Sequence, residues 1–301
     1  MGEMLLMASD ELAAVRELLR GLDLGPLSIA QRRAAGESFA SPPSPGTTVE
    51  PIDAGGVPAE WVIASGVTSS HVLLYLHGGG YQGGSPAMLR NVVAHISAAA
   101  RCRALSVEYR LAPEHPFPAA VDDALAAYRF LLLGGTDPAA IAIGGDSAGG
   151  GLTLATLVAL RDAGDPLPAA AAVMSPWTDL ALTGDSVRTR ADVDLMIKPA
   201  GARESAEMYL AGADARHPYA SPLYAELHGL PPLLIHVGDA ELVLDDSTRF
   251  AAKATAAGVD VTLEVWDEMP HVWHAFVGLL PESGQAIERI GAWLRVRWPR
   301  D

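Results

Sequence analysis

The sequence predicts an α/β fold: a mostly parallel sheet of eight strands, flanked by helices. Short apolar runs of strand length alternate with longer segments whose apolar residues recur at helical spacing, and this alternation is typical of a parallel sheet covered on both faces. The chain has 301 residues, of which 50% are hydrophobic. A chain of this size and composition can bury a large core as one domain with a small addition.

The predicted elements follow one another along the chain without an internal repeat. Strands are expected near residues 47–52, 60–65, 71–76, 103–108, 139–143, 168–174, 232–237 and 260–266. Helical patterns fall at residues 87–100, 119–133, 149–163, 199–211, 245–257 and 284–297. Most strands are therefore followed by a helix, which returns the chain to the start of the next parallel strand.

Two segments lie outside this alternation. Residues 9–38 carry a helical pattern in front of a proline-rich stretch at 42–45, which we interpret as a stiff linker. Residues 181–221 separate two of the predicted strands. A packing helix and a surface loop would explain both segments. The apolar Met196 and Ile197 inside a polar loop favour instead a cap that excludes water from a site.

The run Gly144–Gly150, with the sequence GGDSAGG, contains a Gly-x-Ser-x-Gly motif at a predicted strand-to-helix junction. A serine on such a sharp turn is lifted above the sheet edge, and the neighbouring glycines avoid side-chain collisions there. The N–H groups of the following helix face any negative charge that develops nearby. Ser147 is therefore a candidate nucleophile. A glycine-rich turn without chemistry is the alternative. A dinucleotide-binding loop is not supported in this run, because Asp146 and Ser147 interrupt the pattern Gly-x-Gly-x-x-Gly.

A second glycine-rich segment, His77–Gly80, ends the predicted strand at 71–76. Consecutive glycines cost backbone entropy, and they are expected where the backbone must turn its N–H groups toward a substrate oxygen. A flexible turn is the alternative interpretation. The adjacent Tyr81 is a candidate for lining a substrate pocket or for packing.

A serine nucleophile of this type needs an acid and then a histidine further along the chain. An acidic loop follows the strand at 232–237, and His271 follows the next strand and a proline. Both loops open at the same sheet edge as Ser147. Asp239 lies close to the strand end, whereas Glu241 lies in mid-loop, where its side chain can lean toward the histidine. The sequence leaves the choice between these two acids open.

The ordered motifs resemble the bacterial hormone-sensitive lipase family of α/β-hydrolase esterases. They are HGGG at 77–80, YRLAPE at 109–114, GDSAGG at 145–150 and SPWTDL at 175–180. The resemblance runs from about residue 45 to the end of the chain. It implies an α/β-hydrolase fold and hydrolysis of short-chain carboxylic esters through an acyl-enzyme intermediate.

The family's pattern also implies roles and boundaries. It implies a catalytic triad of Ser147, Glu241 and His271, although Glu241 stands where aspartate is usual. It implies an oxyanion hole at Gly78, Gly79, Gly80 and Ala148, in which Gly78 sets the turn and the other three donate N–H groups. The implied division is an N-terminal cap segment (1–45), a core (46–180 and 222–301) and a cap insertion (181–221).

Composition limits the other function classes. A net charge of −15 argues against nucleic acid and anionic membranes as partners, because both favour clustered cationic residues. Cys102 is the only cysteine, which excludes an intramolecular disulfide. The histidines show no metal-ligand spacing, so we expect neither metal nor cofactor. The N-terminal residues do not read as a signal peptide, and no apolar run is long enough to span a bilayer, so the expected location is the cytoplasm.

Two alternatives to ester hydrolysis remain at this point. A lactone or amide hydrolase would use the same three residues, and a binding protein of the same fold would have lost the chemistry. The expected partner is a small ester substrate. The sequence leaves open whether the chain is a monomer or a homodimer.

Overall fold

Eight strands form one sheet in the computed structural model, which describes residues 9–21, 27–38 and 40–299. The strands are β1 (Thr48–Asp53), β2 (Pro58–Ile63), β3 (Val72–Leu76), β4 (Arg103–Val107), β5 (Ile141–Asp146), β6 (Ala170–Met174), β7 (Leu233–Gly238) and β8 (Val261–Trp266). Their order is β1-β2-β4-β3-β5-β6-β7-β8. β2 runs antiparallel to both neighbours, and the other pairs are parallel. The predicted fold class is confirmed.

Nine α-helices accompany the sheet in the described part of the chain. They are α1 (Asp10–Arg20), α2 (Ile29–Glu37), α3 (Pro86–Ala100), α4 (Ala119–Leu133), α5 (Ser147–Ala163), α6 (Ser186–Thr189), α7 (Pro199–Leu210), α8 (Leu244–Ala256) and α9 (Pro281–Arg295). None of these helices is both long and apolar enough to cross a membrane. The described residues do not include 1–8, on which the expectation about a signal peptide rests. They also do not include 22–26, which belong to the predicted helical segment 9–38.

The core has a hydrophobic cluster on each face of the sheet. Alternate residues of β3 show the division, since Leu74 and Leu76 belong to one cluster and Leu73 and Tyr75 to the other. This alternation is the pleat of a strand buried on both faces. Helices α4, α5 and α8 cover the first face, and α3 and α9 cover the second.

The predicted boundary between β5 and α5 was wrong by three residues on the strand side. β5 continues through two glycines to Asp146, and α5 begins at Ser147 rather than at residue 149. Glycine suits this stretch of strand because a Cβ on Gly144 would approach the carbonyl oxygen of Ala172 to 2.8 Å. Strand and helix therefore meet directly at the candidate nucleophile.

Candidate active site

Ser147 lies at the junction between β5 and α5 in a left-handed backbone conformation, with φ of +52°. This region is costly for a residue with a Cβ, and surrounding structure must hold it. One support is the close approach of α5 to the end of β3. A Cβ on Gly149 would collide with the carbonyl oxygens of Leu76 and His77. Glycine at 149 thus lets the helix sit where it presents the serine.

A chain of short contacts joins Ser147 to His271 and Glu241. The Ser147 hydroxyl lies 2.8 Å from His271 Nε2, and His271 Nδ1 lies 2.7 Å from Glu241 Oε2. An ionised carboxylate only accepts hydrogen bonds, so the proton of the neutral imidazole is assigned to Nδ1. The lone pair of Nε2 then faces the serine hydroxyl. This arrangement can remove a proton from the serine as its oxygen attacks.

Glu241 is fully buried and its second oxygen is also occupied. Oε1 accepts from the backbone N–H of Gly238 at 2.6 Å and from the Ser175 hydroxyl at 2.7 Å. Ser175 Oγ in turn accepts from the N–H of Val272, next to the histidine, at 3.1 Å. Ser175 therefore connects the acid loop to the histidine loop.

Sequence reasoning did not single out Ser175 as a site residue. The available signals were its place at the start of the SPWTDL motif and its position directly after β6, at the sheet edge where the other site loops open.

The contact between His271 and Glu241 favours the protonated form of the histidine. Burial lowers the pKa of His271, but the hydrogen bond to Glu241 and its charge outweigh burial, so the pKa is raised. Burial raises the pKa of Glu241, while the hydrogen bonds from His271, Gly238 and Ser175 act in the opposite direction. The acid loop thus supplies the negative charge that stabilises an imidazolium.

The glycine loop lies beside the serine and divides into two parts. The Gly78 N–H donates to Asp146 Oδ1 at 3.0 Å, so this group holds the turn and is already engaged. Gly79 has φ of +123°, and a Cβ there would collide with the backbone of Gly83. Within the described residues, the N–H groups of Gly79 and Gly80 donate to no backbone carbonyl in the turns and loops. Both groups are therefore available to a substrate oxygen.

Ala148, the fourth residue predicted for the oxyanion hole, lies in the first turn of α5. An N–H in that position has no partner within its own helix. Asp146 also accepts from the Tyr75 hydroxyl at 2.7 Å, which fixes the junction as an anchor would.

Two further candidates lie in packed surroundings. Tyr81 is 1% exposed and stacks on Tyr209 with ring centroids 3.8 Å apart. These are packing contacts, and a role in substrate binding stays a prediction. The Asp239 carboxylate accepts from the N–H of Glu268 at 2.7 Å, whereas the contact with His271 is made by Glu241.

The other buried histidines of this region form a separate pair. His236 lies within β7, and its Nδ1 is 3.1 Å from Nε2 of His274. His274 belongs to a 3-10 turn over Trp273–Phe276. The described residues contain no group of three or more histidine, cysteine or acidic side chains that could hold a metal ion.

Comparison with known proteins shows similarity over nearly the whole chain. A family model described as the alpha/beta hydrolase fold matches residues 73–275. The chain is 48% identical over 298 residues to an acetyl-hydrolase of Streptomyces hygroscopicus, covering 96% of this chain and 97% of that protein. It is 34% identical over 250 residues to an esterase of Acinetobacter venetianus, covering 83% and 82% of the two chains.

Two solved esterase structures are similar to this chain in both fold and sequence. An esterase from the bacterial hormone-sensitive lipase family has a TM-score of 0.94 at 48% identity, covering 99% of this chain and all of that one (100%). EstE5 soaked with p-nitrophenyl butyrate has a TM-score of 0.94 at 50% identity, covering 97% of this chain and 99% of that chain.

Proposed function

The chain belongs to the α/β-hydrolase family, among the esterases of the bacterial hormone-sensitive lipase group, and from this membership we propose its function and the residues that carry it. It is a carboxylesterase, a serine hydrolase that cleaves short-chain carboxylic esters through an acyl-enzyme intermediate. Ser147 is the nucleophile, His271 the general base and acid, and Glu241 the carboxylate that orients the histidine.

One observation carries the assignment of roles. The Ser147 hydroxyl, the two nitrogens of His271 and the Glu241 carboxylate form an unbroken series of contacts of 2.8 and 2.7 Å. The 2.8 Å contact lies in the range that proton transfer from the nucleophile to its base requires, and the 2.7 Å contact is a hydrogen bond that orients the base. Because Glu241 is buried and held by two further donors, the imidazole is fixed in one orientation.

In the first half of the reaction, Ser147 Oγ attacks the ester carbonyl carbon while His271 Nε2 takes the hydroxyl proton. The carbonyl π electrons move to the oxygen, and the N–H groups of Gly79, Gly80 and Ala148 stabilise the resulting oxyanion. The imidazolium, stabilised by Glu241, then gives its proton to the departing alkoxide oxygen. The alcohol leaves, and the acyl group remains bonded to Ser147.

In the second half, a water molecule takes the place of the alcohol. His271 Nε2 removes a proton from this water as its oxygen attacks the acyl carbon, and the same N–H groups hold the second oxyanion. Collapse of this intermediate breaks the bond to Ser147, whose oxygen recovers the proton from His271. The products are the free acid and the starting enzyme.

The N-terminal segment and the insertion act together as the cap of this site. Arg32 of α2 contacts Glu204 of α7 at 2.8 Å, and Arg33 of α2 donates to the carbonyl oxygen of Gln82 at 2.7 Å. The Gln82 side chain in turn contacts Ser205 of α7 at 2.5 Å. These contacts join α2 of the N-terminal segment to α7 of the 181–221 insertion and to the loop that follows the oxyanion glycines, which supports the proposed cap.

Burst kinetics test this function directly. We expect wild-type enzyme mixed with p-nitrophenyl butyrate to release p-nitrophenol in a burst followed by steady turnover, and Ser147→Ala to show neither. Lactones and anilides run beside the ester distinguish it from the lactone or amide alternative. A wild-type enzyme that binds the ester without releasing alcohol would identify a non-catalytic relative and refute the proposal.

A further inference from the structure

Asp194, in the 181–221 insertion, lies beneath the acid loop with only 1% of its surface exposed. Its Oδ2 accepts from the backbone N–H of Leu242 at 2.7 Å. Its Oδ1 accepts from the N–H groups of Met196 and Ile197, both at 2.8 Å. All three partners are donors, which is the environment of an ionised carboxylate. The side chain therefore ties the insertion to the residue that directly follows Glu241.

Other contacts show that the same stretch of the insertion holds the acid loop at more than one point. The Ser186 hydroxyl donates to the carbonyl oxygen of Leu242 at 2.7 Å, and Arg190 Nε donates to the carbonyl oxygen of Asp239 at 2.7 Å. Both of these act on carbonyl oxygens. Asp194 differs in binding an N–H of the loop and in bringing a buried negative charge.

We propose that Asp194 is a positioning residue for the hydrolase site: its buried carboxylate fixes the backbone of the residue that directly follows Glu241. The inference rests on the proposed function, since it assigns Glu241 and His271 their roles. In the described residues, the two His271 nitrogens contact Glu241 and Ser147 rather than Asp194. Asp194 therefore acts through the acid loop, whose Leu242 N–H it binds.

The charged groups around His271 determine how its pKa responds to Asp194. Burial lowers the pKa of His271, the contact with Glu241 raises it most, and Asp194 and Asp146 add to the rise. The remaining titratable neighbour, His274, has a pKa lowered by burial and stays neutral. Removing the charge of Asp194 should therefore lower the pKa of His271.

The Asp194→Asn variant removes this charge with almost no change of shape. An amide offers one acceptor oxygen, so one set of backbone donors faces its NH₂ group, and the acid loop must shift. We expect kcat for p-nitrophenyl butyrate to fall roughly 10- to 100-fold with little change in KM, because small misplacements of catalytic groups have effects of this size. The acid limb of the pH profile of kcat/KM should move to lower pH, because loss of a nearby negative charge disfavours the imidazolium.

Asp192→Asn is the matched control, because Asp192 is exposed two residues away and the variant makes the same change in net charge. It should match wild type in kcat and in the position of the acid limb. The inference is overturned if Asp194→Asn, folded by circular dichroism, behaves like Asp192→Asn in both measurements.

Asp194→Glu keeps the charge and decides the question if the asparagine variant does not fold. Its longer side chain should lower kcat while leaving the acid limb at the wild-type pH, and wild-type kcat in this variant would overturn the inference. Wild type and Ser147→Ala are assayed in parallel. Absence of Ser147-dependent hydrolysis in wild type would refute the proposed function itself, which is a result distinct from failure of the Asp194 inference.

Discussion

Replacing Glu241 by glutamine should inactivate the enzyme by changing which nitrogen of His271 carries the proton. The glutamine oxygen is expected to stay with Gly238 and Ser175, because the backbone N–H of Gly238 cannot turn away from Oε1, which it contacts at 2.6 Å. The NH₂ group then points at His271 Nδ1, now 2.7 Å from Oε2, and donates to it. The proton of the imidazole moves to Nε2, which can no longer accept from Ser147.

The size of the loss follows from this change of tautomer. Comparable substitutions in serine hydrolases reduce kcat about 10⁴-fold, which corresponds to about 5.4 kcal/mol of transition-state stabilisation. We expect a loss of this order for Glu241→Gln on p-nitrophenyl butyrate, with KM little changed. Glu241→Asp should be partly active, because the carboxylate survives but is one methylene short of the histidine.

Asp239→Asn is the control for this experiment, since Asp239 lies two residues away in the same loop. Its carboxylate accepts from the N–H of Glu268, and its carbonyl oxygen, which the substitution leaves unchanged, accepts from Arg190. We expect a far smaller loss of kcat. If Asp239→Asn loses more activity than Glu241→Gln, the acid is Asp239 and the reasoning above is refuted.

Three further predictions concern the surroundings, the pH dependence and the substrate. Ser175→Ala removes a donor to Glu241 and leaves the buried N–H of Val272 without its partner. The free energy of unfolding, measured in urea, should fall by about 1–3 kcal/mol, and kcat should also fall. Wild-type values for both would contradict the bridging role. An imidazolium cannot accept the Ser147 proton, and the contact with Glu241 raises the pKa of His271 above its ordinary value of 6.5. The value of kcat/KM should therefore fall as pH decreases and reach half its maximum above pH 6.5. A half-maximum below that pH would be inconsistent with the Glu241 contact. A panel of acyl chain lengths should show the highest kcat/KM for acetate to hexanoate esters, and a preference for emulsified long-chain triglycerides would count against the capped site.

Much of the fold could be predicted from the sequence because burial leaves a local pattern. The strands of the sheet centre are continuous apolar runs, such as Val72–Leu76, and they are buried along their whole length. The turn of the nucleophile could be located for a similar reason, since its glycines are required by contacts within the turn and with the adjacent strand. The exact start of α5 could not, because glycine is compatible with both the end of a strand and the start of a helix.

The supporting residues of the site could not be predicted, because their partners are distant in sequence. Ser175 meets Glu241 only because β6 and β7 are neighbours in the sheet, and Asp194 meets Leu242 only because the insertion folds back over the acid loop. Ser175 opens the SPWTDL motif, but the motif does not indicate its partner, and Asp194 belongs to none of the motifs quoted above. Their hydrogen bonds are properties of the tertiary structure.

Covalent trapping of the nucleophile tests the central claim most directly. Purified enzyme is inactivated with a serine-directed alkyl phosphonate ester and analysed by intact mass and peptide mapping. We expect one adduct per chain, on Ser147, with activity lost in proportion to labelling. Ser147→Ala should take up no label while remaining folded, and its turnover should be lower by several orders of magnitude. An adduct on another residue, or a Ser147→Ala variant that keeps more than a few per cent of wild-type turnover, would contradict the mechanism.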